Sequence, residues 1–161
     1  MNKTELRLRP LEDGDIPRLT AWLYKDYIRQ WYHDPEEWLK EVRERKGAFA
    51  FLRHFIVLDG DTPLGFCQYY DCFDAQEEWY EVTEPKTIYS IDYLIGEEAY
   101  LGKGWGTAIV GALVEAIRNL GHAKTILVQP EPENIPSNRA LLANGFIFDE
   151  AKGYYRFSLV P

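Results

Sequence analysis

The sequence predicts an α/β domain with a mixed, partly parallel sheet, and three observations carry that prediction. An apolar, strand-like run over 87–96 is followed by a glycine-rich loop, Leu101-Gly102-Lys103-Gly104-Trp105-Gly106-Thr107, and then by a helix-like run over 105–120. Two more apolar runs, 48–58 and 63–70, flank Asp59-Gly60-Asp61, the residue chemistry of a hairpin turn. Helical patterns stand between strand patterns on both sides of the glycine loop, which demands crossovers and hence some parallel pairing.

Taken in order, Leu6 and Leu8 suggest a first strand ending at Pro10. A helix over 13–24 follows, with Asp13 or Asp15 able to cap it and Pro17 in a first turn that tolerates proline. Asp34-Pro35-Glu36-Glu37 starts a second helix that runs to about Arg45, with Asp34 as its N-cap. After the hairpin and the 87–96 strand, Ile109, Leu113, Ile117 and Leu120 recur at helical spacing, and Gly121 stops that helix. Residues 124–129 make a short buried strand and 136–144 a brief helix. Strands over 145–150 and 154–160 close the sheet.

Composition narrows the class. A chain of 161 residues is expected to be one domain, 1–161, large enough to bury roughly two-thirds of its unfolded surface. A hydrophobic content of 46% excludes a disordered chain. No apolar run approaches the ~20 residues that span a bilayer, and the N-terminus shows no signal-peptide h-region, so no membrane partner is expected. Cys67 and Cys72 are too few for a disulfide scaffold and too isolated for a zinc site; they read as reduced thiols in the cytoplasm. His33, His54 and His122 have no metal-ligand spacing, so no metal is expected. The oligomeric state is left as monomer or homodimer.

A net charge of −8 argues against nucleic acid and for a cationic partner. The acidic residues concentrate between Asp71 and Glu84, where Asp74, Glu77, Glu78 and Glu81 occur without a Lys or Arg. Trp79 and Tyr80 sit among them, and Tyr69 and Tyr70 precede them. Such a run is either a solvated loop or a surface for ammonium groups on a sugar, to which rings and carboxylates both contribute.

The glycine loop has the layout of an anion site, because amides that open a helix carry partial positive charge and glycines let a ligand approach the main chain. It is neither a Walker loop, since Gly104 follows Lys103, nor a dinucleotide fingerprint, since Thr107 holds the sixth position from Gly102. The remaining local reading is a glycine turn before a surface helix. Asp92 shares a strand face with Ile88, Ser90 and Leu94, where a carboxylate is costly unless paired or used. It is either hydrogen-bonded to a neighbouring loop or basic side chain, or it is a general base.

Several blocks together resemble a known family. They are Trp31-Tyr32, Pro63-Leu64-Gly65-Phe66 with Gln68 and Tyr69, Ile91-Asp92-Tyr93-Leu94-Ile95-Gly96-Glu97, the loop over 101–107, and Asn134-Ile135-Pro136-Ser137 followed by Asn144-Gly145-Phe146. The chain from Leu6 to Phe146 resembles the GCN5-related N-acetyltransferases (GNAT), and more narrowly their aminoglycoside 6′-N-acetyltransferases. Gly104 and Gly106 match the family's Gln/Arg-x-x-Gly-x-Gly/Ala loop, and Leu101 replaces its usual Gln or Arg.

The resemblance implies the GNAT fold, a mixed, mostly antiparallel central sheet of about seven strands flanked by helices. It also implies acetyl-CoA as cosubstrate and a cationic, amine-bearing small molecule as acceptor. It makes Asp92 the general base that holds the acceptor's ammonium and takes its proton. A strand amide, Tyr93 or Leu94, would hold the thioester carbonyl. Amides of Leu101, Gly102, Lys103, Gly104, Trp105, Gly106 and Thr107 would hold the pyrophosphate, and Asn134 and Ser137 would meet the pantetheine. Trp31, Tyr32, Tyr69 and Trp79, with the acidic Asp74, Glu78 and Glu81, would line the acceptor site. Many members carry a tyrosine seven residues after the Asn to protonate the leaving thiolate; this chain has Leu141 there, so Tyr154, Tyr155 or water takes that role, or the thiolate leaves unassisted. Other readings are an acyltransferase for a hydroxylysine side chain, a branch that uses a His-Asp pair, or a module that binds acyl-CoA without turning it over.

Overall fold

A computed structural model describes residues 5–77 and 80–160. Seven strands form one sheet in the order β1-β2-β3-β4-β5-β7-β6. They are β1 (Leu6–Pro10), β2 (Leu52–Asp59), β3 (Thr62–Asp71), β4 (Ile88–Ile95), β5 (Thr125–Val128), β6 (Ile147–Asp149) and β7 (Tyr154–Ser158). Every neighbouring pair is antiparallel except β4 and β5. That parallel step needs a crossover, which α5 (Trp105–Arg118) provides. The sheet is therefore mixed and mostly antiparallel, as the resemblance implied.

The helices divide by face. On one side lie α1 (Ile16–Leu23), α2 (Asp26–Tyr32) and α3 (Pro35–Arg43), whose Leu19, Trp22, Leu23, Ile28, Leu39 and Val42 bury with Ile56, Phe66 and Leu94 of the sheet. On the other, α5 and α6 (Ile135–Ala143) bury Ile109, Val110, Leu113, Ile117 and Leu141 against Val57, Cys67, Tyr89 and Ile91. Alternation along β4 therefore sends Ser90, Asp92 and Leu94 toward the α1–α3 side, and Ile91 and Tyr93 toward α5. Asp92 thus shares its face with Ser90 and Leu94, as the spacing predicted.

Some local expectations change. Asp34 does cap α3, its carboxylate accepting from the Glu36 amide at 3.1 Å. Asp15 holds the N-cap position of α1 but its side chain makes no cap bond, and Asp13–Asp15 form a short 3-10 turn ahead of the helix. The Asp15 carboxylate is taken by both Arg9 nitrogens at 2.8 and 2.9 Å, and by the Glu12 amide at 2.8 Å. The predicted strand over 48–58 starts at Leu52, and the hairpin closes as expected over Gly60-Asp61 between paired Asp59 and Thr62. Two helices, α2 and the single turn α4 (Cys72–Ala75), stand where no helix was predicted. Cys67 and Cys72 are buried free thiols.

Candidate active site

A cavity of about 650 Å³ opens where β4 and β5 part. The two strands pair only through Ile88 with Thr125 and Tyr89 with Ile126, so β4 from Ile91 onward has no partner on its β5 side. Trp31 and Tyr32 of α2 and Trp38 and Glu41 of α3 form one wall. Gln68 and Tyr70 of β3 and Asp92 of β4 form the floor, while Asn134, Ser137 and Leu141 of α6 stand opposite. At the rim His33, which ends α2, meets Glu131 at 2.6 Å and bridges the two walls.

Asp92 sits at the bottom of this cavity. Gln68 is its cross-strand neighbour and donates from Nε2 to Asp92 Oδ2 at 2.9 Å. Burial pushes the Asp92 carboxyl up to about 7, the nearby Glu77 and Glu41 add to the rise, and the Gln68 hydrogen bond opposes it. Glu41 is likewise raised to about 7, by burial first and by Glu37 and Glu77 next. Carboxylates that share a poorly solvated space resist ionisation, and a cation brought among them relieves that cost. The cavity is therefore electrostatically prepared for an ammonium group.

Residues beside Asp92 are held by hydrogen bonds across the splay. Tyr32 donates its hydroxyl proton to the main-chain carbonyl of Tyr93, and Trp38 Nε1 donates to the Tyr32 carbonyl at 3.1 Å. The Tyr93 ring crosses to α5, where a Cβ on Gly106 would stand 3.1 Å from its hydroxyl oxygen. Ser137 is the polar group that faces this hydroxyl. Asn134 caps α6, its Oδ1 accepting from the Ser137 amide at 3.4 Å, and it lines the cavity.

The glycine loop opens α5. Gly104 is its N-cap at φ 85° and Gly102 stands at φ 69°, both in the left-handed region where a side chain is strained. The first intrahelical bond is Ala108 N–H to Gly104 at 3.2 Å, so the first-turn amides of Gly106 and Thr107 have no acceptor within the helix. Leu101 differs from the other loop residues, since its amide already donates to Glu98 at 3.1 Å. Trp105 contributes only main chain, because its indole is fully buried in the core against Tyr100. Lys103 and the glycines on either side are exposed.

The structure brings Trp31, Tyr32, Asp92, Tyr93, Asn134 and Ser137 together at one cavity. Leu94 faces the α1–α3 core, so only its main chain is offered to a ligand. Tyr69 is corrected: it pairs with Ile91 on the opposite face of β3, stacked on Phe55 at 5.8 Å, and Tyr70 lines the cavity in its place. Asp74 is exposed on α4 and does not line the cavity, although its neighbour Ala75 does. Glu81 is also exposed, and is paired with Lys152 at 3.4 Å. Glu78 and Trp79 lie outside the described residues. Glu41, Gln68, Tyr70 and Glu77 reach the cavity without having been predicted as site residues. A signal for Gln68 was present in its block beside Asp92; nothing in the sequence marks Glu41 apart from other surface-facing acids of α3.

Among the described residues no group of His, Cys, Asp or Glu could hold a metal, and no helix is long and apolar enough to cross a membrane. The family profile described as an acetyltransferase (GNAT) domain matches residues 12–152. The chain is 28% identical over 145 residues to the aminoglycoside N(6′)-acetyltransferase type 1 of Klebsiella pneumoniae, covering 86% of this chain and 72% of that one. The crystal structure of aminoglycoside acetyltransferase AAC(6′)-Ib with coenzyme A superposes with a TM-score of 0.82 at 26% identity, over 95% of this chain and 94% of its own. The same enzyme with ribostamycin and coenzyme A gives 0.82 at 25% identity, over 96% and 93%.

Proposed function

This chain belongs to the GNAT acetyltransferases, and on that premise we propose that it moves the acetyl group of acetyl-CoA to a primary amine of a cationic small molecule, specifically the 6′-amine of an aminoglycoside. The observation that carries this reading is Asp92, a carboxylate with one oxygen bound by Gln68, at the floor of an aromatic and acidic cavity where the strands part. The relatives named for aminoglycoside 6′-acetylation support the acceptor, and the coenzyme A complexes of AAC(6′)-Ib support the donor.

Asp92, ionised, holds the acceptor's ammonium and takes one proton from it, which frees the nitrogen lone pair for the thioester carbon. The new C–N bond forms, the C–S bond breaks, and the nitrogen's remaining extra proton leaves to solvent. A main-chain amide at Tyr93 or Leu94 stabilises charge on the carbonyl oxygen. The amides that open α5, with Lys103 beside them, take the pyrophosphate, and Asn134 and Ser137 border the pantetheine arm. Leu141 offers no proton, and the Tyr155 hydroxyl donates to Asn138 Oδ1 at 2.7 Å. The thiolate, with a pKa near that of free cysteine at about 8.5, departs to solvent. Trp31 and Tyr32 pack against the sugar, and Glu41 and Glu77, rather than Asp74 and Glu81, receive its further ammonium groups.

A thiol-release assay over aminoglycosides, polyamines and lysine derivatives tests the reading, with product NMR to place the acetyl group. Turnover is expected for aminoglycosides with a 6′-amine and not for congeners with a 6′-hydroxyl. Release confined to polyamines or lysine derivatives overturns the acceptor, and no release with any amine overturns the enzyme.

A further inference from the structure

Gln68 stands between Asp92 and a histidine that the reaction does not use. His54 of β2, Gln68 of β3 and Asp92 of β4 are successive cross-strand partners, so their side chains leave the same face of the sheet in one row. One end of the row is made: Gln68 Nε2 donates to Asp92 Oδ2 at 2.9 Å. The other end is open. Among the described residues, Gln68 Oε1 is buried without a hydrogen-bond partner, and so are both ring nitrogens of His54. Unpaired buried polar atoms are destabilising and rarely persist in a folded protein.

The environment of His54 says which way a proton points. Its ring stacks on Phe66, with centroids 5.7 Å apart, and is 7% exposed. Burial pushes its pKa down to about 4, so near neutrality the ring is uncharged and carries one N–H. The polar groups near it are the Gln68 side chain and the Glu41 main chain, both of which favour a ring proton although neither is hydrogen-bonded to the ring; Arg45 is the nearby charge and opposes a second proton. An uncharged donor and an unpaired carbonyl oxygen thus belong to paired residues on neighbouring strands.

We propose that His54 is a positioning residue for the catalytic carboxylate: its ring N–H donates to Gln68 Oε1, fixing the amide with its N–H toward Asp92 Oδ2 and leaving Oδ1 for the acceptor's ammonium. The chain of bonds runs His54 to Gln68 to Asp92. Without the histidine, the Gln68 amide is free to turn and set its carbonyl oxygen against the carboxylate, which repels it and favours its protonated form. The inference rests on the reading of Asp92 as the general base. The other groups that face Asp92 are Glu77, Glu41, Tyr32, Tyr70, Tyr80 and Cys72, and none replaces the Gln68 donor.

The test compares the full-length parent with His54→Phe, which keeps the ring on Phe66 and deletes both nitrogens. His54→Asn and His54→Gln each return one donor. Carbon-13 NMR of the Asp92 carboxyl in acceptor-free protein, assigned with Asp92→Asn, reads the titration without reference to any amine. In His54→Phe it should move up by roughly half to one pKa unit, and kcat should fall about fivefold to tenfold, the size of a lost charge-assisted contact. One of the amide variants should restore both, and His54→Phe should add nothing in a Gln68→Leu background. An unmoved titration, or an undiminished effect on top of Gln68→Leu, reduces His54 to a packing residue. If His54→Phe does not fold, nitrogen-15 NMR of the parent decides: a ring neutral at pH 6 with one hydrogen-bonded N–H is expected, and a ring titrating near its ordinary value overturns the relay. A parent that acetylates no amine but still shows the shifted titration sinks the functional reading and leaves the relay standing.

Discussion

Tyr32 donates its hydroxyl proton to the main-chain carbonyl of Tyr93, which ties the aromatic wall of the cavity to the strand one residue past Asp92. Burial holds the phenol well above its ordinary pKa, so it stays a donor across the working range. In the proposed mechanism the bond connects the acceptor side to the backbone assigned to the thioester carbonyl. Tyr32→Phe should lower kcat about threefold to tenfold and raise the acceptor's KM, at a stability cost of about 1 kcal/mol. Steady-state kinetics and calorimetry on one preparation check this. A lower melting temperature with unchanged kcat and KM would make the tie purely structural.

The sequence made the sheet legible because each long element carries its own periodicity: Ile109, Leu113 and Ile117 for α5, and the Asp59-Gly60-Asp61 turn for the β2–β3 hairpin. α2 escaped because it is seven residues long and buries only Ile28, too little for a pattern. The doublet Tyr69-Tyr70 gave no choice of face, since alternation assigns opposite faces to neighbours and only the pairing of Gln68 with Asp92 decides which tyrosine turns inward. The row of His54, Gln68 and Asp92 was invisible for the same reason. Its members come from three strands, and register alone aligns them. His54, far before Asp92 in sequence, thus joins the same row in space.

Glu41 offers a pH-dependent contact with the acceptor. Its carboxyl titrates at about 7, so it is mostly neutral at pH 6 and mostly charged at pH 8. Glu41→Gln should therefore raise KM for a polycationic acceptor severalfold at pH 8 and change it little at pH 6. The same raised value means that the folded parent loses stability as pH rises from the unfolded pKa of about 4.3 through 7, so the variant should melt higher than the parent at pH 8. A KM ratio that is equal at both pH values would remove Glu41 from acceptor binding.

The loop before α5 is tested at Gly106. An added Cβ there meets the Tyr93 hydroxyl oxygen at 3.1 Å and its Cε2 at 3.3 Å, so the ring beside the loop must give by a few tenths of an ångström. Gly106→Ala should weaken coenzyme A binding by at least about tenfold, roughly 1.4 kcal/mol, in calorimetry. Gly104→Val is the less direct probe, since φ 85° strains any side chain before a ligand arrives. Parent-like affinity in a folded Gly106→Ala would move the pyrophosphate site elsewhere.

Asp92→Asn separates chemistry from stability by sign. A carboxyl raised to about 7 binds a proton in the folded state that the unfolded chain, with a pKa of about 3.9, has already released. Parent stability must then decline as pH rises between those values and stay lower above them. Asparagine carries no charge to desolvate, so the variant should melt higher than the parent at pH 8 and the difference should shrink toward pH 4. Activity should move the other way. Proton acceptance is lost, so kcat should fall about 10²–10⁴-fold with coenzyme A affinity nearly unchanged. The parent's kcat/KM should rise with pH through about 7, where Asp92 ionises, and that limb should vanish in the variant. A stabilised protein that has lost its turnover is the signature of a carboxylate kept for catalysis. A variant that melts lower at pH 8 would identify Asp92 as a structural partner of Gln68, and one that keeps its kcat would remove it from the mechanism.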